Sequence, residues 1–308
     1  MSSTLRYLSK TCQRWVALTA QLVVLSLTAA CTPTQLLNFA SPNSNYSAIK
    51  DIKYGDADRQ ELDIYCPKAQ VERGALIVFF YGGGWKDGSK AKYEFVASGL
   101  TEAGHAVVIP DYRLYPEVIF PAFVNDGALA MQWVLGQDQL CESTVEQVFV
   151  MGHSAGAHIA ALLAFDKRYA EQYGWMQHRV AGFIGLSGPY DFLPLQDGYL
   201  TEVFPEATRS TSQPVEFVTA SSPASLLIHG TDDTTVDERN SQSLAKALKA
   251  VGVDVSVRRY SGVRHATTVA AIAPLLKMLT DTRKDIDAFI WARLKVREDR
   301  AASSETPP

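Results

Sequence analysis

The chain has 308 residues, enough for one large domain or two small ones. Apolar residues make up 47% and charged residues 20%, which excludes a disordered or collagenous chain and leaves ample material for a core. The 29 basic and 33 acidic residues give a net charge of −4, so we expect no nucleic-acid partner. The 4 cysteines are too few for a disulfide-rich scaffold.

Residues 1–30 have the pattern of an export signal. Their charged residues are Arg6, Lys10 and Arg14, and residues 15–30 are uncharged and mostly apolar. A basic start, an apolar middle and small residues before the cleavage point are typical of a secretory signal peptide. The apolar stretch is slightly short for a membrane-spanning helix and contains Gln21.

The end of this segment, Ala29-Ala30-Cys31, resembles a bacterial lipoprotein signal, with Thr28 where that family usually has Leu. The resemblance implies that Cys31 is lipid-modified and becomes the new N-terminus. Removing 30 residues would leave 278 and, with three basic residues lost, a net charge of −7. Thr32 after the cysteine implies an outer-membrane protein facing the periplasm. An ordinary cleaved signal, giving a soluble periplasmic or secreted protein, and an uncleaved anchor are the alternatives.

Cys66 and Cys141 would then lie in an oxidising compartment. Their separation along the chain says nothing about their distance in space, so the sequence predicts either a disulfide or two free buried thiols.

After the signal, short strands and helices alternate. Residues 31–47 are predicted to be a tether, residues 48–296 one domain and residues 297–308 a disordered tail. Strands are predicted at residues 49–54, 60–65, 75–80, 106–110, 147–151, 182–186, 224–228 and 253–260. Helices are predicted at residues 90–103, 123–135, 155–165 and 236–251, and at 265–294 with an interruption at Pro274.

This alternation predicts an α/β fold with a mainly parallel central sheet flanked by helices. A long polar insertion at about residues 190–222 breaks the rhythm. Insertions of this length are often functional, so we expect a lid over a site.

The segment Gly152-His153-Ser154-Ala155-Gly156 fits the pattern G-x-S-x-G. It lies between an apolar strand and a helix of small residues, the context in which this pattern marks a nucleophilic serine. The flanking glycines permit a turn so tight that the Ser154 hydroxyl is exposed in a strained conformation. A merely structural Gly-Ser turn is the alternative.

A serine nucleophile needs a base, and the base needs an orienting acid. Of the six histidines, His265 alone directly follows the last predicted strand. The acid is Asp232 or Asp233, in the loop after the strand at 224–228, with Asp191 a weaker third candidate.

The other histidines have different expected roles. His153 precedes the nucleophile and is expected to line the site, His158 is expected to pack, and His229 to hold a turn. No pair of histidines has metal-ligand spacing, so we expect no metal.

Residues 229–236 resemble the H-G-x-x-D-x-x-V pattern of α/β-hydrolase fold esterases, which implies that Asp233 is the acid. Residues 79–85, F-F-Y-G-G-G-W, resemble the H-G-G-G-W loop of bacterial esterases related to feruloyl esterases, carboxylesterases and kynurenine formamidases. Tyr81 stands where that family has His. An oxyanion needs backbone N–H donors, and we assign Gly83, Gly84 and Ala155.

Residues 110–117 resemble the Y-R-L-x-P-E segment of the same family, and the resemblance extends over about residues 48–292. In this region we expect a buried charge network of Asp111, Arg113 and Asp126. The resemblance implies a serine hydrolase that cleaves small to medium carboxylic esters without a cofactor. An aryl formamidase and a non-catalytic envelope binding protein are the alternatives. We expect pocket residues to include Trp85, Tyr115 and Phe192.

Overall fold

The computed structural model describes residues 33–69, 74–195 and 198–304. The predicted signal and Cys31 lie outside the described residues. Ten strands are present in the described part: β1 (Tyr46–Lys53), β2 (Glu61–Pro67), β3 (Leu76–Phe80), β4 (Ala106–Pro110), β5 (Gln139–Leu140), β6 (Ser143–Thr144), β7 (Val148–His153), β8 (Val180–Leu186), β9 (Ser225–Gly230) and β10 (Val255–Tyr260).

Eight of these strands form one sheet in the order β1-β2-β4-β3-β7-β8-β9-β10, while β5 and β6 pair as a separate hairpin. The six strands from β4 to β10 in this order run parallel, and β1 and β2 add an antiparallel edge. The carboxyl ends of the parallel strands therefore lie along one edge of the sheet. This edge is where open α/β sheets place their ligands.

The helices of the described part are α1 (Pro33–Ala40), α2 (Glu94–Glu102), α3 (Ala122–Leu135), α4 (Ala155–Phe165), α5 (Lys167–Tyr173), α6 (Leu200–Val203), α7 (Glu206–Arg209), α8 (Arg239–Ala250), α9 (His265–Ala270) and α10 (Thr282–Ser304). Every residue of α4 is buried, because its alanines and Gly156 let it pack closely against the sheet. None of the described helices combines the length and the hydrophobicity needed to cross a bilayer.

All eight predicted strands of the sheet are present, with ends that differ by no more than three residues from those expected. The helix predicted at 155–165 is also confirmed. The helix α5 and the β5–β6 hairpin were not predicted, because both are too short to show a hydrophobic period.

The structure differs from the predicted tether at residues 31–47. Residues 33–40 form α1, and β1 begins at Tyr46. The side chain of Asn38 donates to the Ala91 carbonyl at 2.6 Å and accepts from the Phe95 N–H at 2.9 Å. These tertiary contacts hold a segment whose composition alone indicates a loop.

The predicted tail also differs, because α10 continues to Ser304 and includes the first residues of the 297–308 segment. The Ala, Glu and Arg residues of this segment have high helix propensity, and the same residues are common on exposed surfaces. The helix predicted at 265–294 is divided into α9 and α10 by a segment that contains Pro274.

The sulfur atoms of Cys66 and Cys141 form a disulfide, with the two Cα atoms 5.1 Å apart. It links the end of β2 to the β5–β6 hairpin and closes a loop of 75 residues. The structure thus selects one of the two alternatives that the sequence left open.

We expect a Cys66→Ser, Cys141→Ser double variant to unfold at a temperature about 10 °C lower. For a loop of this length the chain-entropy estimate is about 4 kcal/mol of lost stability. Thermal unfolding followed by circular dichroism measures the difference. Reductant should destabilise the wild type and leave the double variant unchanged, and equal melting temperatures would contradict the expected role.

Candidate active site

Ser154 lies in the turn between β7 and α4, with φ 55° and ψ −125°. This backbone conformation is strained for a residue other than glycine. A Cβ added at Gly152 would lie 2.3 Å from the Gly156 carbonyl oxygen, and one at Gly156 would lie 2.1 Å from that of Phe80. Both glycines are therefore required by the close packing of the turn. The predicted strand–turn–helix arrangement around Ser154 is present.

The structure brings His265 and Asp233 together. Nδ1 of His265, the first residue of α9, donates to Oδ2 of Asp233 at 2.7 Å. The other two acid candidates have different partners. Asp232 is exposed and accepts from the Thr231 hydroxyl, and Asp191 accepts from the Ser243 hydroxyl.

Four donors surround the carboxylate of Asp233. Oδ1 accepts from the N–H groups of Thr235 and Val236, both at 2.9 Å, and Oδ2 lies 3.2 Å from Nε2 of His229 in addition to His265. Burial raises the pKa of Asp233, but the hydrogen bonds from His229, His265 and Val236 outweigh it and hold the pKa well below its usual range. Asp233 therefore stays ionised and orients Nδ1–H of His265 toward itself.

The contact between His229 and Asp233 was missed by the sequence analysis. His229 holds the turn, as predicted, since Nε2 lies 2.9 Å from the Val236 carbonyl and Nδ1 lies 2.8 Å from the Ser241 hydroxyl. Its place four residues before Asp233 was visible in the sequence, but the contact between the two side chains depends on the conformation of the loop that joins them.

The glycine loop, residues 82–84, follows β3 and lies against the nucleophile. A Cβ added at Gly82 would lie 3.0 Å from Cβ of Ser154. Gly83 has φ +144° and Gly84 has φ +61°, conformations that favour glycine. Ala155 is the residue after Ser154 and begins α4. Of the predicted oxyanion donors, Ala155 thus adjoins Ser154 along the chain, and Gly83 and Gly84 follow the glycine that contacts it.

Tyr81, which stands where the related esterases have His, is fully buried below the glycine loop. Its hydroxyl donates to Oδ1 of Asp111 at 2.7 Å and accepts from Nη2 of Arg59 at 2.8 Å. The same Arg59 nitrogen donates to the carbonyl of Gly88 at 2.9 Å. Tyr81 and Arg59 therefore fix both the start of the loop and the turn after it.

We expect Tyr81→Phe to lower the free energy of unfolding by about 2 kcal/mol, because it removes one hydrogen bond from Asp111 and one from Arg59. Tyr93→Phe is the matched control. The Tyr93 ring stacks on that of Tyr81 at 5.5 Å, and its hydroxyl makes a longer bond of 3.3 Å to the Gly82 carbonyl. Urea denaturation should give a clearly smaller loss for Tyr93→Phe, and equal losses would contradict the role of Tyr81.

The predicted charge network of Asp111, Arg113 and Asp126 is only partly correct. Nη2 of Arg113 pairs with Oδ1 of Asp126 at 2.7 Å, and Gln60 donates to the same oxygen at 2.7 Å. Asp111 instead belongs to the cluster of Arg59 and Tyr81. Residues 111–114 are not a strand, so side chains two positions apart do not share a face.

The insertion at residues 190–222 packs beside the glycine loop. The Trp85 ring lies edge-on to Phe204 and to His158, with centroids 4.8 and 5.2 Å away, and 6.1 Å from Phe192. Tyr115, the third expected pocket residue, donates its N–H to the Trp85 carbonyl at 2.8 Å. Trp85 thus contacts Phe192 through its ring and Tyr115 through its main chain.

Buried side chains hold the described part of the insertion at both ends. Oδ1 of Asn240 accepts from the N–H groups of Tyr190 and Asp191, at 3.0 and 2.8 Å. Near the other end, Nε2 of His158 lies 2.7 Å from the Ser212 carbonyl. His158 is fully buried and packs, as the sequence predicts.

Within the part of the chain that the structure describes, no group of three or more His, Cys, Asp or Glu side chains is arranged to hold a metal ion.

The profile of the BD-FAE family matches residues 62–248. The chain belongs to the BD-FAE family. This BD-FAE protein is 29% identical to a probable isoprenylcysteine alpha-carbonyl methylesterase of Arabidopsis thaliana, over 70% of its length and 50% of the relative's. It is 26% identical to a kynurenine formamidase of Danio rerio, over 75% of its length and 79% of the relative's. The chain spans about half the length of the plant methylesterases it matches.

Solved structures share its fold. Esterase B of Lactobacillus rhamnosis has a TM-score of 0.74 at 20% identity, covering 94% of this chain and 98% of the other. A thermophilic esterase of Thermogutta terrifontis has a TM-score of 0.65 at 22% identity, covering 81% and 94%. These likenesses and the mainly parallel sheet confirm the predicted α/β-hydrolase fold.

Proposed function

We propose that this BD-FAE protein is a serine hydrolase that cleaves small to medium carboxylic esters through an acyl-enzyme on Ser154. The observation that carries the proposal is the 2.7 Å hydrogen bond between His265 and the buried side chain of Asp233. Ser154 lies at a strained turn. The ring of His153, which precedes Ser154, lies 4.8 Å from that of His265. The protein's relatives include a probable methylesterase and an esterase, which supports the same reaction.

In the first half of the reaction, Oγ of Ser154 forms a bond to the ester carbonyl carbon while Nε2 of His265 takes the hydroxyl proton. The carbonyl oxygen becomes an oxyanion that accepts hydrogen bonds from backbone N–H groups of the glycine loop and Ala155. The bond to the alcohol oxygen then breaks, and the leaving alkoxide takes the proton from His265. The product is an alcohol and an ester between the acyl group and Ser154.

In the second half, a water molecule attacks the acyl carbon and gives a proton to Nε2 of His265. Collapse of the second oxyanion breaks the bond to Oγ of Ser154, which regains the proton from His265, and the carboxylic acid leaves. Asp233 stabilises the positive His265 in both halves and remains ionised itself.

An aryl formamidase is the second candidate, because the alignment covers 79% of the kynurenine formamidase of Danio rerio. In this reaction Ser154 attacks the formyl carbon, and His265 gives its proton to the leaving amine. Comparing kcat/KM on N-formylkynurenine with that on p-nitrophenyl esters of increasing acyl length separates the two reactions. A much larger value on N-formylkynurenine would favour the formamidase.

The nucleophile is tested by covalent labelling of the full-length protein with a fluorophosphonate, followed by peptide mass spectrometry. We expect one label, on Ser154, with loss of p-nitrophenyl acetate hydrolysis in proportion to labelling. Ser154→Ala should remain folded by circular dichroism and take up no label. A label on another residue, or a folded wild type with neither label nor turnover, would overturn the proposal and favour a non-catalytic binding protein.

We also propose that Cys31 is lipid-modified and that the protein is held at the outer membrane, facing the periplasm. The support is the basic, apolar and small-residue pattern of residues 1–30. The Cys66–Cys141 disulfide adds to it, since such bonds persist in oxidising compartments.

Metabolic labelling with radioactive palmitate tests the anchor. Cys31→Ala should abolish the label, whereas Cys12→Ala, within the predicted signal, should retain it. Label that persists in Cys31→Ala would refute the lipid anchor, and a soluble wild-type protein would point to an ordinary cleaved signal.

A further inference from the structure

His153 lies immediately before Ser154, at the end of β7, and its side chain contacts the main chain of His265. The Nε2 atom of His153 lies 3.2 Å from the carbonyl oxygen of His265. Since a carbonyl only accepts, this nitrogen carries the proton and donates. We propose that His153 is a positioning residue that holds His265 against Ser154, a role that rests on the proposed hydrolase function.

A second donor reaches the same carbonyl. The hydroxyl of Thr268 donates to the His265 oxygen at 2.9 Å, and it lies 3.2 Å from the hydroxyl of Ser187, which follows β8. Thr268 and Ser187 are fully buried, and His153 is 5% exposed. The main chain of His265 is therefore attached to the carboxyl ends of two neighbouring strands through a buried polar cluster.

The other side of the His153 ring faces the glycine loop. A Cβ added at Gly82 would lie 2.9 Å from Nδ1 of His153 and 3.0 Å from Cβ of Ser154. Nδ1 is buried and has no hydrogen-bond partner among the described residues. The ring thus lies between Gly82 and the ring of His265.

The charge state of His153 suits this position. Burial, and after it the influence of His265, lower the pKa of His153 to about 3. The ring remains neutral at ordinary pH, so Nε2 keeps its proton and Nδ1 stays bare. When His265 becomes positive during the reaction, no second positive charge lies against it.

His153 therefore contacts both the base and the glycine loop, and it is adjacent in sequence to the nucleophile. Loss of the hydrogen bond from His153 removes one of the two side-chain donors to the His265 carbonyl and loosens the main chain there, without removing any reacting group. A displacement of about 1 Å in a reacting group can cost on the order of 100-fold in rate. The effect should fall on kcat and leave KM nearly unchanged, because substrate binding does not depend on the position of the imidazole.

Two variants of the full-length protein separate a positioning role from a structural one. His153→Gln keeps an N–H donor at the same distance along the side chain, whereas His153→Met fills a similar volume without a donor. Turnover of p-nitrophenyl acetate is measured per active site, with sites counted by fluorophosphonate labelling so that misfolded protein does not contribute.

We expect kcat to fall by about 10- to 100-fold in His153→Met, with KM within twofold of wild type. His153→Gln should recover most of the loss. His105→Met is the matched control, because His105 is also a buried histidine with a main-chain hydrogen bond, accepted from the Ala75 N–H, but precedes β4 at the opposite end of the sheet. It should lower the melting temperature and leave kcat per labelled site unchanged.

Wild-type kcat per labelled site in His153→Met would overturn the positioning role, as would equal losses in the Gln and Met variants. A wild-type protein that is inert toward ester and fluorophosphonate would instead refute the proposed hydrolase function, and this inference with it.

Discussion

Asp233→Asn is expected to lower kcat on p-nitrophenyl acetate by about 10⁴-fold while the protein remains folded. All four contacts of the carboxylate are with donors: the N–H groups of Thr235 and Val236, and the rings of His229 and His265. An asparagine amide must turn its NH₂ group toward two of them, whichever way it is oriented. If the NH₂ group faces the N–H groups of Thr235 and Val236, donors face donors. If it faces His265, Nδ1 must accept and Nε2 carries the proton, so His265 cannot take the proton of Ser154.

Asp232→Asn is the matched control. Asp232 is the neighbouring residue, carries the same charge and is exposed, with no contact to His265 among the described side chains. Its kcat should stay within about twofold of wild type, as for an exposed carboxylate with weak long-range influence. Similar losses in the two variants would mean that net charge in this loop, rather than the hydrogen bond to His265, determines the rate.

Gly83→Ala is expected to lower kcat/KM by about 100- to 1000-fold, the effect of losing one oxyanion donor. The added Cβ would lie 2.0 Å from the carbonyl oxygen of Asp87, a backbone atom that cannot move aside as a flexible side chain can. Gly83 also has φ +144°, which an alanine rarely adopts. The loop must therefore shift, and the N–H groups of residues 83 and 84 shift with it.

Gly174→Ala controls for the backbone cost alone. Gly174 ends α5 with φ +71°, and no atom lies within 4 Å of an added Cβ. This variant should lose about 1 kcal/mol of stability and no activity, because the alanine adopts an unfavourable positive φ but its Cβ meets no other atom. Steady-state kinetics and urea denaturation on both variants test the distinction. A Gly83→Ala enzyme with wild-type kcat/KM would show that this loop does not bind the oxyanion.

Most of the fold and the reacting residues were predictable from the sequence, because the strands, the turn at Ser154 and the position of His265 each depend on a local pattern. The tight turn at Ser154 requires glycines at fixed offsets, and the position of His265 after the last strand follows from the order of the elements. Asp233 could be preferred over Asp232 from the resemblance, and the structure brings it to His265.

The remaining features depend on contacts between distant segments. Arg59 reaches Tyr81 from a loop 22 residues earlier in the chain, and nothing in its neighbours indicates this partner. The pairing of Cys66 with Cys141 and the docking of α1 through Asn38 are likewise tertiary. His153 was visible beside the nucleophile, but its bond to the main chain of His265 appears only when two strand ends meet.

The attachment of the insertion has a consequence for how substrate reaches Ser154. Asn240 fixes its start, His158 fixes it near Ser212, and Phe204 packs edge-on against Trp85. We expect the described part of the insertion, held by buried bonds at its start and at Ser212, to stay in place rather than open and close. Catalysis should therefore show no interfacial activation: the rate on a short-chain ester should rise hyperbolically up to its solubility limit and stay level beyond it, with no jump when droplets form.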